Sequence, residues 1–221
     1  AARHLARAAV GDAEGDEVIT SPFSFVASAN AIVYERARPV FVDIDPRTLN
    51  IDPEAIRAAV TPRTRAVIPV DLFGQIAPVE RITAAVPELP IIEDAAQSIA
   101  ARRKVGGKWV MAGEVATIGT FSFFPSKNLG GYGDGGMMVT QDDAIATRLR
   151  RLRVHGGART YYHEEVGFNS RLDALQAAVL LAKLPHLEGW SARRRANAEY
   201  YDAALRGVGD IRTLIGDPAN G

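Results

Sequence analysis

Short apolar runs rich in β-branched residues alternate along the chain with segments of helical spacing. Parallel strands are usually connected through helices, so this alternation predicts a mostly parallel sheet with helices on both faces. The predicted strands are Glu17–Thr20, Pro39–Ile44, Ala66–Val70, Pro90–Glu93, Ala116–Phe123 and Gly136–Thr140. The predicted helices are Ala1–Val10, Val26–Arg36, Pro53–Val60, Val79–Val86, about a dozen residues from Asp142, and Ser170–Leu205 with a break at Pro185. We therefore predict a three-layer αβα fold of the α/β class, with an irregular tail from Gly207.

The composition excludes several classes of function. The chain has 221 residues, and its 26 Lys and Arg balance 26 Asp and Glu, so the formal net charge is zero. This balance provides no broad positive field for nucleic acid or an anionic membrane. The lack of Cys excludes disulfides, thiolate metal sites and Cys nucleophiles. No apolar run approaches the ~20 residues of a membrane span, and we expect a cytoplasmic protein.

The histidines and the arginine run are assigned no chemistry. His155 and His163 lack partners at the spacings typical of metal ligands, so no metal site is predicted. Arg193–Arg195 is interpreted as a solvated helix face rather than a nucleic-acid surface, because aromatic residues do not alternate with it.

A glycine-rich loop contains the first candidate site residue, Lys127. The loop, Pro125–Gly136, includes the spacing G-x-G-x-x-G at Gly131, Gly133 and Gly136. A dinucleotide fingerprint requires a helix after its glycines, whereas a strand is predicted here, and a phosphate-binding P-loop has its Lys after the glycines. Two interpretations remain. Either the loop is a flexible surface turn with a solvated lysine, or its small residues let other groups approach Lys127 closely.

Asp94 and Gln97 follow another predicted strand. Ligand sites in open α/β sheets lie beyond the carboxyl ends of strands. Asp94 could there pair with the cationic ring nitrogen of a cofactor. The alternative is structural, since Asp94 and Gln97 have the spacing of a capping box at a helix start.

Three further candidates also have structural alternatives. Ser122 could donate to a phosphate or simply bond to the backbone. Phe25 could stack on a flat aromatic cofactor or belong to the core. Asn169 or Ser170 could be the N-cap of the long helix.

The order of these motifs resembles that of a known family. EDAAQS, FSFFPSKNLGGYGDGGMMVT and GFNSRLDALQAAVLLAKL closely resemble the DegT/DnrJ/StrS family, and the stretches GDEVIT, ARPVFVDIDPRTLNIDPEAI and TPRTRAVIPVDLFGQ do so as well. The resemblance covers about residues 5 to 205. It implies an aspartate-aminotransferase-like large domain (fold-type I) that uses pyridoxal 5′-phosphate.

The resemblance also implies roles for six residues at matching positions. Lys127 would form the Schiff base with the cofactor. The cofactor-binding residues would be Asp94 at the pyridine nitrogen, Gln97 near the ring hydroxyl, Ser122 at the phosphate, Phe25 stacked on the ring, and Asn169. The family's equivalent of Asn169 reaches the phosphate held by the neighbouring subunit, which implies a homodimer.

The resemblance further implies how the chain is divided. Residues 1–184 would form the cofactor-binding large domain, without its N-terminal part. Residues 185–221 would continue the long helix and begin a truncated C-terminal small domain. We expect that such a fragment would be inactive alone, because one side of the phosphate site and much of the substrate cleft would be missing.

The expected activity is amino-group transfer by a ping-pong mechanism. The donor would be an amino acid, L-glutamate above all, and the acceptor a nucleotide-linked keto-sugar, with C3 as the aminated carbon. Lys127 argues against relatives that have His there and catalyse dehydration. The alternatives are a non-catalytic, regulatory member that binds the cofactor or another ligand, or an aminotransferase acting on inososes or amino-aromatic precursors.

Overall fold

The computed structural model describes residues 14–159, 161–214 and 216–221. Eight strands are found in this part of the chain: β1 Glu17–Thr20, β2 Arg38–Phe41, β3 Thr64–Ile68, β4 Ile92–Asp94, β5 Arg102–Val105, β6 Lys108–Met111, β7 Ile118–Ser122 and β8 Gly136–Val139. The predicted helix Ala1–Val10 lies outside the described residues.

Six strands form one open, mostly parallel sheet. β2, β1 and β3 pair in parallel, and β4 pairs in parallel with β7. Parallel bridges Val67–Ile91 and Val70–Asp94 join the two groups, so the order is β2-β1-β3-β4-β7-β8. Only β8 runs antiparallel, beside β7. The predicted sheet is confirmed.

Six α-helices accompany the strands in the described ranges: α1 Ala27–Tyr34, α2 Pro53–Ala59, α3 Val79–Ala85, α4 Asp143–Leu152, α5 Ala174–Lys183 and α6 Leu187–Ala204. Aspartates cap three of them. The Asp52 side chain accepts from the N–H of Glu54 before α2, that of Asp142 accepts from Ala144 and Ile145 before α4, and that of Asp173 accepts from Leu175 before α5. The predicted break at Pro185 is confirmed, because the short 3₁₀ turn Leu184–His186 separates α5 from α6.

The sheet divides the core into two apolar layers. Consecutive residues of a strand point to opposite faces, so Val18 packs with α1 and α4 through Ile32 and Leu149. Ile19 packs on the other face, in a cluster with α2 and α3 that contains Ile56 and Ile82. Helices therefore cover both faces, and the three-layer αβα architecture is confirmed.

Two features differ from the sequence prediction. The hairpin β5–β6 lies where no strand was predicted, and its turn is Gly106-Gly107, with φ of +56° and +83°. The last long helical segment begins at Ala174 rather than Ser170, because Asp173 supplies the N-cap bond. The N-cap predicted at Asn169 or Ser170 is therefore wrong.

The tail packs back onto the β5–β6 hairpin. Ala219 O accepts from the Lys104 N–H at 2.6 Å, and the Gly221 N–H donates to Arg102 O at 2.9 Å. The buried Arg103 guanidinium binds Glu80 at 2.7 Å and Asp217 at 2.8 Å. The predicted division into residues 1–184 and 185–221 remains a prediction.

In the described part of the chain, no helix combines the length and the apolarity that crossing a membrane requires.

Candidate active site

The carboxyl ends of the parallel strands surround one cavity of about 840 Å³. Its size falls in the upper half of the range typical of small-molecule sites, about 300–1,000 Å³. The predicted residues that line it are Phe25, Gln97, Ser122, Lys127 and Asn169. The sixth, Asp94, is paired along the sheet with Thr120, which also lines the cavity. The structure thus brings five of the predicted residues into one cavity, and Asp94 is buried in the adjacent strand β4.

Asp94 is the last residue of β4 and is 1% exposed. The buried Ser28 hydroxyl, on α1, donates to Asp94 Oδ2 at 2.7 Å, and the Ala96 N–H donates to Oδ1 at 3.3 Å. A turn follows Asp94 where the capping box required a helix, so that alternative is wrong. The contacts hold the carboxylate at a fixed position in the sheet, where desolvation strengthens its interactions.

Gln97 is held by the loop after β3. Its side-chain Oε1 accepts from the Phe73 N–H at 2.7 Å. Phe73 has φ of +59°, and Gly74 follows with φ of +89°. A Cβ at Gly74 would lie 3.3 Å from Gln97 O, so a small residue fits this crossing best. The bond to the backbone fixes which end of the amide faces Phe73.

Ser122 is the last residue of β7, and Lys127 lies in the turn that follows this strand. Ser122 Oγ accepts from the Phe124 N–H at 3.3 Å, so the backbone bond forms while the residue also lines the cavity. The Lys127 N–H donates to Phe124 O at 2.9 Å and closes a tight turn. Lys127 is partly buried and lines the cavity. The partial burial disfavours a fully solvated lysine, and a dinucleotide fingerprint is excluded because β8 follows the glycines.

Phe25 contributes an exposed ring to the cavity. It is 68% exposed, and Phe23 in the same loop is 42% exposed. Core packing of this segment, the structural alternative, is therefore wrong. An aromatic face this open can be covered by a flat ligand.

Asn169 lines the cavity of its own chain. Its Oδ1 accepts from the Arg171 Nε–H at 3.2 Å, and Arg171 also lines the cavity. The contribution of Asn169 to a neighbouring subunit remains a prediction.

Two buried carboxyl groups support the strand that ends at Asp94. Asp71 and Glu93 are almost fully buried and hydrogen-bond to each other. Burial and the adjacent Glu93 carboxylate raise the pKa of Asp71 well above its usual value. Asp71 also accepts from the Ser98 hydroxyl at 2.6 Å and from the Ala77 N–H at 2.9 Å. If Asp71 is protonated, its hydroxyl can donate to the Glu93 carboxylate, and the buried pair then has one negative charge instead of two.

Sequence reasoning missed Ser28, the Asp71–Glu93 pair and Gln176. Ser28 lies 66 residues from Asp94 in the sequence. Gln176 lies 44 residues from Tyr132, and its Oε1 accepts a hydrogen bond from the Tyr132 N–H at 2.7 Å. Such pairs have no local spacing that could reveal them. Asp71 did offer a signal, an acidic residue directly after an apolar run at a strand end.

The fold and the cavity define a class of protein. A lysine and a buried carboxylate lie at neighbouring strand ends of a doubly covered, mostly parallel sheet, and this is the large-domain arrangement of enzymes that bind pyridoxal phosphate. The chain belongs to the DegT/DnrJ/EryC1/StrS aminotransferase family, whose model matches residues 1–220. Members of this family are pyridoxal-phosphate-dependent transaminases.

Individual relatives match most of this chain. The chain is 53% identical over 211 residues to a "pleiotropic regulatory protein" of Geobacillus stearothermophilus, covering 94% of this chain and 56% of that one. It is 49% identical over 210 residues to the UDP-2-acetamido-2-deoxy-3-oxo-D-glucuronate aminotransferase of Pseudomonas aeruginosa, covering 94% and 57%. The chain thus spans little more than half the length of these curated relatives.

Solved structures share the fold. The crystal structure of S. venezuelae DesV in complex with a ketimine intermediate has a TM-score of 0.93 and 40% identity, with 100% of this chain and 59% of that chain covered. The structure of ntda from Bacillus subtilis, with bound cofactor PMP, has a TM-score of 0.88 and 32% identity, with 99% and 50% covered.

The residues around the cavity fit pyridoxal 5′-phosphate. An aromatic cofactor with a phosphate and an aldehyde requires an amine, a carboxylate for its ring nitrogen, a hydroxyl donor and a flat apolar surface. Lys127, Asp94, Ser122 and Phe25 are of those types, and all but the buried Asp94 line the same cavity. A metal is not required for this chemistry. Among the described residues, no group of three or more His, Asp and Glu could hold a metal ion.

Proposed function

We propose that the protein is an aminotransferase that moves an amino group from an amino acid to a nucleotide-linked keto-sugar. One observation carries the proposal. Lys127 lines a cavity walled by the ends of β4 and β7, and the buried carboxylate of Asp94 closes β4. An amine that can bind the cofactor aldehyde and a fixed anion for the ring nitrogen are the two protein groups that transamination would require here.

Each residue has a separate part in this proposal. Lys127 Nζ would bind the cofactor as a Schiff base and, once released by the amino donor, move a proton as base and then as acid. The Asp94 carboxylate would hold a proton on the ring nitrogen. Ser122 and Asn169 would donate to the phosphate, Phe25 would stack on the ring, and Gln97 would lie near the ring hydroxyl. Pyridoxal 5′-phosphate supplies the electron sink for the bond broken at the amino-acid Cα.

The names of the relatives support the proposed substrate. The P. aeruginosa relative is named for a UDP-sugar with a 3-oxo group, which supports a keto group at C3 of the acceptor. L-glutamate is the proposed donor. A ping-pong sequence is the proposed order, because donor and acceptor would use the same lysine in turn.

A second candidate is a regulatory protein that binds the cofactor without turnover. The name of the G. stearothermophilus relative favours it. The presence of both Lys127 and Asp94 favours the enzyme, since a sensor needs neither proton transfer nor a protonated ring.

One spectroscopic experiment separates the two candidates. Pyridoxal 5′-phosphate added to the full-length protein should give a visible absorption band that shifts on addition of L-glutamate, and a 3-keto-sugar nucleotide should then be aminated. Lys127→Ala should abolish both band and product, whereas Lys108→Ala, on the exposed hairpin, should not. A band that no amino donor shifts would favour the regulatory protein, and no band at all would exclude both.

The proposed homodimer can be tested through Asn169. In a mixture of Lys127→Ala and Asn169→Ala protomers, a mixed dimer contains one intact site only if Asn169 acts across the interface. We expect activity to reappear on mixing two weakly active proteins. No recovery would assign Asn169 to the site of its own chain.

We propose that this dimer works in the cytoplasm.

A further inference from the structure

The glycine-rich loop beyond Lys127 is fastened to helix α5. Lys183 Nζ donates to Gly130 O at 2.7 Å, and Gln176 Oε1 accepts from the Tyr132 N–H at 2.7 Å. These two bonds bracket Gly131, whose own N–H donates to Phe123 O at 2.8 Å. The loop is therefore bound by the helix on one side and by the end of β7 on the other.

The glycines of this loop make room for Gln176. A Cβ at Gly131 would lie 2.6 Å from Gln176 Oε1, and one at Gly133 would lie 3.0 Å from Gln176 Nε2. Neither glycine has a positive φ, so the backbone conformation does not by itself require glycine here. A larger residue would displace the Gln176 amide from its bond to Tyr132. The spacing G-x-G-x-x-G, which binds no dinucleotide here, thus has a physical explanation for two of its glycines.

The fastened loop packs directly against the turn that contains Lys127. A Cβ at Gly130 would lie 2.4 Å from Pro125 O and 2.8 Å from Phe124 O. The same Phe124 carbonyl accepts from the Lys127 N–H at 2.9 Å. A shift of Gly130 away from α5 would therefore change the packing at the carbonyl that closes the Lys127 turn.

Apolar and cationic contacts reinforce the attachment. Leu129, between Lys127 and the glycines, is buried in one cluster with Leu180 of α5. Lys183 Nζ also lies 5.0 Å from the centroid of the Tyr132 ring, a distance at which a cation is attracted to an aromatic face. Helix α5 thus contacts the loop both before and after Gly130 and Gly131, at Leu129 and at Tyr132.

We propose that Gln176 and Lys183 are positioning residues, which hold the glycine-rich loop so that Lys127 stays aimed into the cavity. The proposal rests on the proposed function, because it assumes that Lys127 is the reactive amine. Neither residue lines the cavity, so their effect passes through the loop. Proton transfer requires the amine within hydrogen-bond reach of the reacting carbon, and a displacement of about 1 Å can cost about 10²-fold in rate.

The test compares a variant that removes the acceptor with one that keeps it, in the full-length protein. Gln176→Leu should speed amide hydrogen exchange at Tyr132 by up to about tenfold, as expected for the loss of one hydrogen bond. It should lower kcat by up to about 10²-fold with little change in KM. Gln176→Glu keeps an oxygen acceptor, so its amide exchange at Tyr132 and its kcat should stay close to the wild-type values. Gln141→Leu, at an exposed glutamine after β8, is the matched control and should change neither.

A second pair of variants tests the other bond. Lys183→Met should speed amide hydrogen exchange at residues 128–133 and lower kcat. Lys183→Arg keeps a donor and should change neither. This pair keeps the proposal testable if Gln176→Leu fails to fold, which thermal unfolding would show.

Borohydride trapping of the cofactor on Lys127 separates the two levels of the proposal. If the wild-type protein traps cofactor on Lys127 but Gln176→Leu and Lys183→Met leave exchange and kcat unchanged, the positioning role is wrong and the proposed function stands. If the wild type traps none on Lys127, the proposed function fails and the positioning role fails with it.

Discussion

Asp94 and Lys127, the two residues with the central roles in the proposed function, are held by the fold in opposite ways. Asp94 ends a central strand, is 1% exposed, and is bound by the Ser28 hydroxyl and a backbone N–H. Lys127 is only partly buried and lies on a turn beyond the sheet, followed by a loop that helix α5 holds from outside. One group is part of the core, and the other is attached to it.

The difference matches what the two groups are proposed to do. A carboxylate that keeps one partner throughout a reaction is best fixed among buried polar groups, where any misplacement leaves an unsatisfied charge. An amine that must bind, release and transfer a proton needs a loop on which its side chain can move. Substitutions around Asp94 should therefore lower stability and activity together, whereas those around Lys127 should lower activity alone.

Among variants that keep Lys127, the largest effect is expected from Asp94→Ala. Loss of one preorganised charge in a dry site typically costs about 10²–10³-fold in kcat, and steady-state kinetics of the full-length protein would measure it. The matched control is Asp134→Ala, because Asp134 is an exposed aspartate that lines the same cavity. If both variants lost activity equally, burial would not distinguish the two carboxylates.

Ser28→Ala should come next, and its effect should be on stability. Removal of the hydroxyl leaves the buried Asp94 Oδ2 without this donor, at a cost of about 1–3 kcal/mol in the free energy of unfolding. Ser24→Ala breaks only the 3.0 Å contact between the Ser24 and Ser28 hydroxyls and should cost less. Urea denaturation measures both, and equal costs would contradict a special role for the bond to Asp94.

The pH dependence of stability should reveal the Asp71–Glu93 pair. The pKa of Asp71 is raised in the folded state, so the fold keeps a proton that the unfolded chain has lost. The resulting stability is complete below the ordinary aspartate pKa and is lost as pH rises towards the raised value, by up to about 1.4 kcal/mol per pH unit.

Asp71→Asn tests this dependence. It keeps a donor for Glu93 and removes the titration, so its free energy of unfolding should vary less with pH above about pH 4. Denaturation curves at several pH values provide the measurement. An unchanged slope would show that Asp71 does not hold the proton.

The smallest effect is expected from Phe25→Ala. An exposed ring contributes little to the fold, so stability should stay unchanged while cofactor binding weakens by about 0.5–1.5 kcal/mol. Phe41→Ala is the matched control, since Phe41 is also an exposed phenylalanine at a strand end but does not line the cavity. A titration with pyridoxal 5′-phosphate would compare them, and equal affinities would remove Phe25 from the site.

The sequence predicted the sheet well because short apolar runs such as Ala66–Ile68 alternate with helical segments, as a sheet covered on both faces requires. The β5–β6 hairpin was missed because β5, RRKV, is largely charged and each strand has only four residues, although Gly106-Gly107 is a typical hairpin turn. The exposure of Phe25 could not be predicted, since aromatic residues near strand ends belong to the core more often than to a cavity.

The candidate site was predicted as a set of residues and not as a network. Motif order was enough to select Lys127 and Asp94, because each lies within a short local pattern. Ser28 and Gln176 act through single bonds between distant segments. Only the folded chain brings those segments together.

The most direct test of the central claim is to reduce the full-length protein with borohydride in the presence of pyridoxal 5′-phosphate and to map the attachment by peptide mass spectrometry. The chain has four lysines: Lys104, Lys108, Lys127 and Lys183. Attachment at Lys127, lost in Lys127→Ala and not transferred to another lysine, is the predicted result. Attachment at other lysines instead of Lys127, or none at all, would contradict the assignment of this cavity as the catalytic site.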